Sequence, residues 1–434
     1  MKTATNVIKV SFDTPLGAIK PMHAVNNGPC IARKEQQRQN FEEYKALRIP
    51  YARNHDANHC HAYGGPHSVD VHAIFPDFYA DENDPSNYDF TCTDKYTAEI
   101  IAAGTRVFYR LGASIEHTVK KYHVLPPKDF GKWARICEHI IAHYTEGWAE
   151  GFCYDIAYWE IWNEPDLETG ATWGGTREQF FDLYAITAKH LKSRFPHLKI
   201  GGPAIAHNED WADAFLGEMR KRKVPIDFFS WHIYCVEPGE MVEKSVRIRA
   251  LLDKNGYTEA ESINNEWNYV RGWTEDWIYS LEMMAGMKGA AFTGACMLAC
   301  QHAPVDMLMY YDARVGSLMS CLFDVRTLRP LKGYYVLEQF SRLYQLGTEV
   351  RCNLEGEGLY ALAARNEEGE NACMIVSYSD ADDGEDKTLQ LELGGGSWEL
   401  FRVDADCSGT SQGLVEGNAT LKVKHWSAVL LRKK

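Results

Sequence analysis

Tyr158-Trp159-Glu160-Ile161-Trp162-Asn163-Glu164-Pro165 decides the reading of this chain. The run is largely apolar and stops abruptly in Asn-Glu-Pro. A short apolar run closed by a turn signal reads as a buried parallel strand. In a barrel such a strand delivers its last residues to the open C-terminal face. A second stretch of this kind, Ser262-Ile263-Asn264-Asn265-Glu266-Trp267-Asn268, lies further along. Glu164 and Glu266, each at the end of its own strand, form the pair that retaining glycoside hydrolysis needs: one proton donor and one nucleophile.

Around these two stretches, β-rich runs alternate with helical ones from about residue 16 to residue 344. The predicted strands are Ile19–Val25, Ile49–Asn54, Arg106–Leu111, Ile156–Trp162, Lys199–Pro203, Phe228–Tyr234, Ser262–Trp267 and Ala290–Leu298. Strand–helix alternation with about eight units predicts an α/β fold, a (β/α)₈ TIM barrel. One helix is well marked. Thr176-Arg177-Glu178-Gln179 has capping-box form, Phe180, Leu183, Tyr184 and Leu191 share a face, and Pro196 ends the element. After about residue 345, short alternating strands separated by acidic and glycine-rich turns predict a smaller antiparallel β-sandwich over 345–434. A strand from residues 1–15 is expected to join it. The acidic turn Ser379–Asp386 reads as a solvated loop.

The chain has 46 basic and 60 acidic residues among 434, a net charge of −14. With no basic excess to neutralise phosphates, a nucleic-acid partner is not expected. No stretch approaches the length of a membrane span, and the N-terminal residues lack a secretory apolar region. The twelve cysteines are scattered without a paired framework, so reduced thiols and a cytoplasmic location are the expectation. Cys296 and Cys300 read as buried free thiols. The composition leaves the oligomeric state open, with a homo-oligomer among the options.

The chemistry gathers at predicted strand ends. Trp159, Trp162 and Pro165 would desolvate Glu164, raising its pKa and keeping its proton on, as a general acid requires. Asn163 beside it can bond a sugar hydroxyl. Glu266 needs donors to hold its charge, and Asn264, Asn265, Tyr234 and Asn268 are candidates. Arg53, in Arg53-Asn54-His55-Asp56, can pair with a carboxylate, and His55 can meet a sugar hydroxyl. His232 and Tyr234 fall on one face of their strand by alternation. With Trp267, these residues make up the expected substrate-binding set. The His-rich stretch 55–67 (His55, His59, Cys60, His61, His67) matches no standard ligand spacing, so neither a metal nor a cofactor is expected. The segment continuing from His72 through Phe75, Phe78 and Tyr79 to Phe90 suits a lid over the cleft.

These residues resemble a known family. Val25-Asn26-Asn27-Gly28-Pro29, Arg53-Asn54-His55, Asn87-Tyr88-Asp89-Phe90, Glu160 to Leu167, Gly201-Gly202-Pro203-Ala204, Val224 to Phe228, His232-Ile233-Tyr234 and Asn265-Glu266-Trp267-Asn268 together are similar to glycoside hydrolase family 39. This is the β-xylosidase and α-L-iduronidase group of the retaining (β/α)₈ clan. The resemblance implies Glu164 as acid/base, Glu266 as nucleophile, and Asn163, His55 and His232 around the sugar. It implies a carbohydrate substrate and a β-xylosidase-like activity; the cytoplasmic expectation favours exo action on small oligosaccharides, with endo action on a polysaccharide, or exo action on an α-L-arabinoside or β-galactoside, as the alternatives. The chain departs from the family's pattern over Ala295–Asp306, read as the end of the eighth strand, which lacks the tryptophan typical there.

Overall fold

The computed structural model describes residues 6–31, 38–57, 67–167 and 169–434. Eight parallel strands close a barrel: β2 (Ala24–Asn26), β3 (Tyr51–Asn54), β4 (Arg106–Leu111), β5 (Tyr158–Ile161), β6 (Lys199–Ile205), β7 (Phe228–Cys235), β8 (Glu261–Tyr269) and β9 (Met307–Tyr310). The first strand in the chain, β1 (Asn6–Ala18), lies outside the barrel.

Side-chain alternation builds the barrel interior in layers. Ala24, Phe108, Tyr158, Phe228, Ile263, Met307 and Met309 form an apolar plug, with Tyr51 packed against it. Two residues further along six of these strands stand Asn26, Arg53, Arg110, Glu160, Ser230 and Asn265, all fully buried. A dry floor therefore carries a buried polar layer directly above it.

β8 is irregular at the decisive point. Trp231 pairs with Asn264, but His232 pairs with Glu266, so Asn265 is an extra residue in the ladder. This bulge lets the consecutive residues Asn265 and Glu266 both face inward, which a regular strand forbids. Trp267 then points outward, packing edge-to-face on Tyr310 at 5.5 Å.

Seven of the expected barrel strands coincide with or overlap observed ones, and the eighth does not. Ala290–Leu298 lies within a helix, Met287–Cys300, and the eighth strand is Met307–Tyr310. The helix is apolar on nearly every side because it is covered on nearly every side, so it carries no helical period to distinguish it from a core strand. Of Ala295–Asp306, the part up to Cys300 is the end of that helix and the remainder is the turn leading into the strand. The true strand end reads Met309-Tyr310-Tyr311-Asp312, also without tryptophan. The helix Arg177–Arg194 begins with the expected reciprocal cap between Thr176 and Gln179.

The remaining strands form one nine-stranded mixed sheet: β1, β10 (Thr348–Glu355), β11 (Leu359–Arg365), β12 (Asn371–Ser377), β13 (Lys387–Glu392), β14 (Ser397–Val403), β15 (Ser408–Glu416), β16 (Thr420–Val423) and β17 (Ser427–Lys433). Its pairings are antiparallel except for β1 with β13, which is parallel. The sheet curls around its own core, with Ile8, Val350, Ile375, Leu391, Trp398 and Leu431 inside. β10 and β15 are additions to the strands read from sequence. Among the described residues, no single helix is long and apolar enough to cross a membrane.

The acidic turn is not the free loop its composition suggested. Asp380 accepts from Tyr269 Oη at 2.7 Å and from Arg271 Nη2 at 3.0 Å, and its carboxylate lies 2.8 Å from Lys288 Nζ. Asp382 accepts from Lys288 at 2.8 Å and Tyr279 at 2.7 Å. Lys288 is 1% exposed, so these carboxylates neutralise a buried cation and tie the second sheet to the rim of the barrel. Removing one partner of a buried ion pair leaves an uncompensated charge. Asp380→Ala is therefore expected to lose about 3 kcal/mol in chemical denaturation, and adding Lys288→Met should recover most of it. Equal stability of Asp380→Ala and the native chain would show that the clamp carries no weight.

Candidate active site

β5 ends by leaving the extended region. Trp162 has φ 75° and Glu164 φ 49°, backbone conformations that non-glycine residues adopt only when held there. The holding contacts are specific. Trp162 Nε1 donates to Thr172 O at 2.8 Å, and the Glu164 amide donates to Ala204 O at 2.9 Å. Asp166 accepts from the amides of Ala206, His207 and Asn208 at 2.8–3.0 Å, tying the turn after β5 to that after β6.

The polar layer converges on Arg53, whose guanidinium is fully buried. Its Nε donates to Glu160 Oε2 at 2.7 Å, Nη1 to Asn26 Oδ1 and to Glu266 Oε2, each at 3.2 Å, and Nη2 to Asn163 Oδ1 at 2.5 Å. Glu160 is saturated by further donors, Ser230 Oγ and Asn265 Nδ2, each at 2.6 Å. One cation thus orients four side chains from three strands, β2, β5 with the turn that follows it, and β8.

Glu266 accepts from Tyr234 Oη at 2.6 Å on its other oxygen. Glu164 Oε1 lies 2.8 Å from His232 Nδ1, and His232 Nε2 lies 3.7 Å from Glu266 Oε2. One oxygen of each glutamate and one nitrogen of His232 all fall within 4.8 Å of one another. That trio is compact enough for a cation, but each member is already engaged by the hydrogen bonds just given.

His55 accepts from Arg110 Nε at 3.1 Å through Nδ1, which leaves its proton on Nε2, 3.9 Å from Glu266 Oε2. Burial, together with the charges of Arg53 and Arg110, holds this imidazole neutral, well below its usual pKa. Burial likewise lowers His232 to about 4. It raises both carboxyls. Glu164 is pushed up to about 8 by burial and the nearby Asp166. Glu266 is raised by burial to about 7, with the Arg53 charge and the Tyr234 hydrogen bond opposing the rise. At neutral pH, Glu164 therefore keeps its proton more firmly than Glu266.

The structure brings Glu164, Glu266, Asn163, His55, His232, Tyr234 and Arg53 together. Trp267 is not in the cleft, because the bulge turns its fully buried ring outward against Tyr310 and Phe292. Asn264, Asn265 and Asn268 do not hold the Glu266 charge. Asn264 lies on the outward side of β8, Asn265 serves Glu160, and Asn268 donates to Tyr310 Oη and the carbonyls of Tyr311 and Met319. Of the His-rich stretch, His59, Cys60 and His61 lie outside the described residues. Phe75, Phe78 and Tyr79, expected in a lid, line with Trp162 and His123 a cavity of about 310 Å³.

Sequence reading missed Glu160 and the second buried arginine, Arg110, which Asp70 Oδ1 holds at 2.6 Å. Their signal was alternation: each stands two residues beyond an inward aromatic, Tyr158 or Phe108. It also missed Tyr311, whose hydroxyl donates to Asp56 Oδ2 at 2.9 Å from a strand that was not recognised.

Both carboxyls bind protons more tightly in the folded chain than at the ordinary value of 4.5. The stability they contribute is full below that pH and is lost as pH rises through about 7 and about 8. Glu164→Gln has no proton to lose. Its Tm relative to the native chain is expected to rise steadily from about pH 5 to about pH 9, and a pH-independent difference would contradict the assignment.

The sequence model for glycosyl hydrolases family 39 matches residues 6–265, ending one residue before Glu266. A curated β-xylosidase from Geobacillus stearothermophilus is 31% identical over 211 residues, 42% of this chain and 41% of that protein. A β-xylosidase from Caldicellulosiruptor saccharolyticus is 31% identical over 145 residues, 32% of this chain and 26% of that protein. These alignments span less than half the length of either relative. Among solved structures, a glucosidase from Croceicoccus marinus superposes over 100% of both chains with a TM-score of 0.80 at 21% identity. A monomeric β-xylosidase from Caulobacter crescentus CB15 matches over 98% of this chain and 99% of that one, with a TM-score of 0.72 at 16% identity. At such identities the likeness is one of fold.

Proposed function

Because the chain belongs to glycosyl hydrolases family 39, we propose that it hydrolyses a glycosidic bond by double displacement with retention of configuration. The observation that carries this reading is the approach of Glu164 and Glu266, whose nearest oxygens lie within 4.8 Å. Carboxyls about 5–5.5 Å apart suit a covalent glycosyl-enzyme, whereas inversion needs about 6.5–9.5 Å to seat a water between them.

Glu266, its charge held by Arg53 and Tyr234, attacks the anomeric carbon. Glu164, protonated in its desolvated site, donates to the departing glycosidic oxygen. Water then attacks the glycosyl-enzyme while Glu164, now ionised, takes the water's proton. Asn163, with its amide oxygen fixed by Arg53, offers its NH₂ to a hydroxyl of the bound sugar. His55 Nε2–H and His232 are its neighbours around that ring. Glu164 and Glu266 sit in the barrel mouth beside Arg53, His55, Asn163 and His232, each at most 3% exposed, with Tyr234 partly open, which suits removal of a terminal unit from a small oligosaccharide. A xyloside is the first substrate to test, given the activity named for the two curated relatives.

A panel of para-nitrophenyl β-xyloside, α-L-arabinoside, β-galactoside and β-glucoside is expected to show turnover, with proton NMR finding the product first formed in the substrate's anomeric configuration. An inverted product would sink the double-displacement reading. Glu266→Ala is expected to abolish turnover. Glu164→Gln should lower kcat/KM by about 10²–10⁴ on substrates with poor leaving groups and much less on activated aryl glycosides, whereas kcat should fall on both, because hydrolysis of the glycosyl-enzyme loses its general base.

Activity should follow a bell in pH. The acid limb marks protonation of Glu266, and the alkaline limb marks loss of the Glu164 proton, with the two midpoints belonging to the coupled pair. Glu164→Gln, assayed on an activated aryl glycoside, should lose the alkaline limb and keep the acid one.

A further inference from the structure

Beyond Glu266, β8 runs out into the segment 270–276, which presents Trp273 to solvent. It is 55% exposed, the only tryptophan among the exposed large hydrophobic residues described. The ring makes a T-shaped contact with Tyr234, centroids 4.8 Å apart, and stacks on Trp277 at 5.1 Å and 23°. Tyr234 in turn donates to Glu266 at 2.6 Å. A short chain of contacts thus leads from Glu266 through Tyr234 to a half-exposed indole. The segment is also braced. Arg271 is bound by Asp380 of the second sheet at 3.0 Å, and the Arg271 amide donates to Ser280 Oγ at 3.0 Å.

An exposed indole is costly in water unless something covers it, and aromatic faces pair well with the C–H faces of pyranose rings. Building on the hydrolase reading, we propose that Trp273 is the stacking platform for the sugar ring next to the one being transferred. Its occupant is the second pyranose of an oligosaccharide. The braced segment holds the indole in place before the sugar arrives, so little ordering is needed on binding.

The test is binding measured by calorimetry in a Glu266→Gln background, which does not depend on turnover. Xylobiose and cellobiose are the disaccharide probes, and methyl β-xyloside and methyl β-glucoside are the single-ring probes. Adding Trp273→Ala is expected to weaken disaccharide binding about tenfold, leave the single-ring probes within about twofold, and be largely rescued by Trp273→Phe. Equal loss on one-ring and two-ring probes, no loss on either, or failure of both disaccharides to bind in the Glu266→Gln background overturns the platform. A Trp273-dependent affinity in a chain that turns over no glycoside would instead overturn the hydrolase reading and leave the platform standing.

Discussion

The site depends on one buried guanidinium. Arg53 stands between two carboxylates of different fate. Glu160, below it, is saturated by donors and sealed from solvent. Glu266, above it, shares one oxygen with Arg53 and keeps a few per cent of its surface open. Burying an arginine is tolerable only when its forks are filled with matched acceptors, and the fixed planar geometry of the group then dictates where those acceptors sit. The sealed partner is Glu160, and Glu266 is the one to which we assign the reaction. A lysine would supply the charge without the angles.

That arrangement explains how the two glutamates differ while sharing a pocket. Burial raises both, but only Glu266 has donors aimed at it from Arg53 and Tyr234, so it is the easier of the two to ionise. Glu164 faces a neutral imidazole and a nearby like charge, Asp166. Two carboxyls of one chemical type are thereby raised to different extents by their neighbours.

Much of this was legible in the chain. The runs ending at Asn163-Glu164 and Glu266 had the length and closure of core strands, and Arg53, His55, His232 and Tyr234 stood at strand ends where chemistry gathers. What stayed hidden had physical causes. Helix Met287–Cys300 is covered by the barrel and the second sheet, so burial erased the period that would have revealed it. Trp267 seemed a neighbour of Glu266 in space because it is one in sequence, and a single extra residue in β8 reversed its direction. Asp380 looked solvated because its partner, Lys288, lies far back along the chain in an apolar run that offered no sign of which acid it would meet.

The bulge at Asn265 has a broader meaning. In a regular strand, scaffold and chemistry compete for the same inward positions, and a gain for one is a loss for the other. Here one added residue gives β8 two adjacent inward posts, and the lower one, Asn265, is committed to Glu160 while the upper one, Glu266, faces the cleft. The division of labour frees the rim above. Under the proposed mechanism, a change among those rim residues would alter the fit of the sugar while leaving the hold of Arg53 on Glu266 intact.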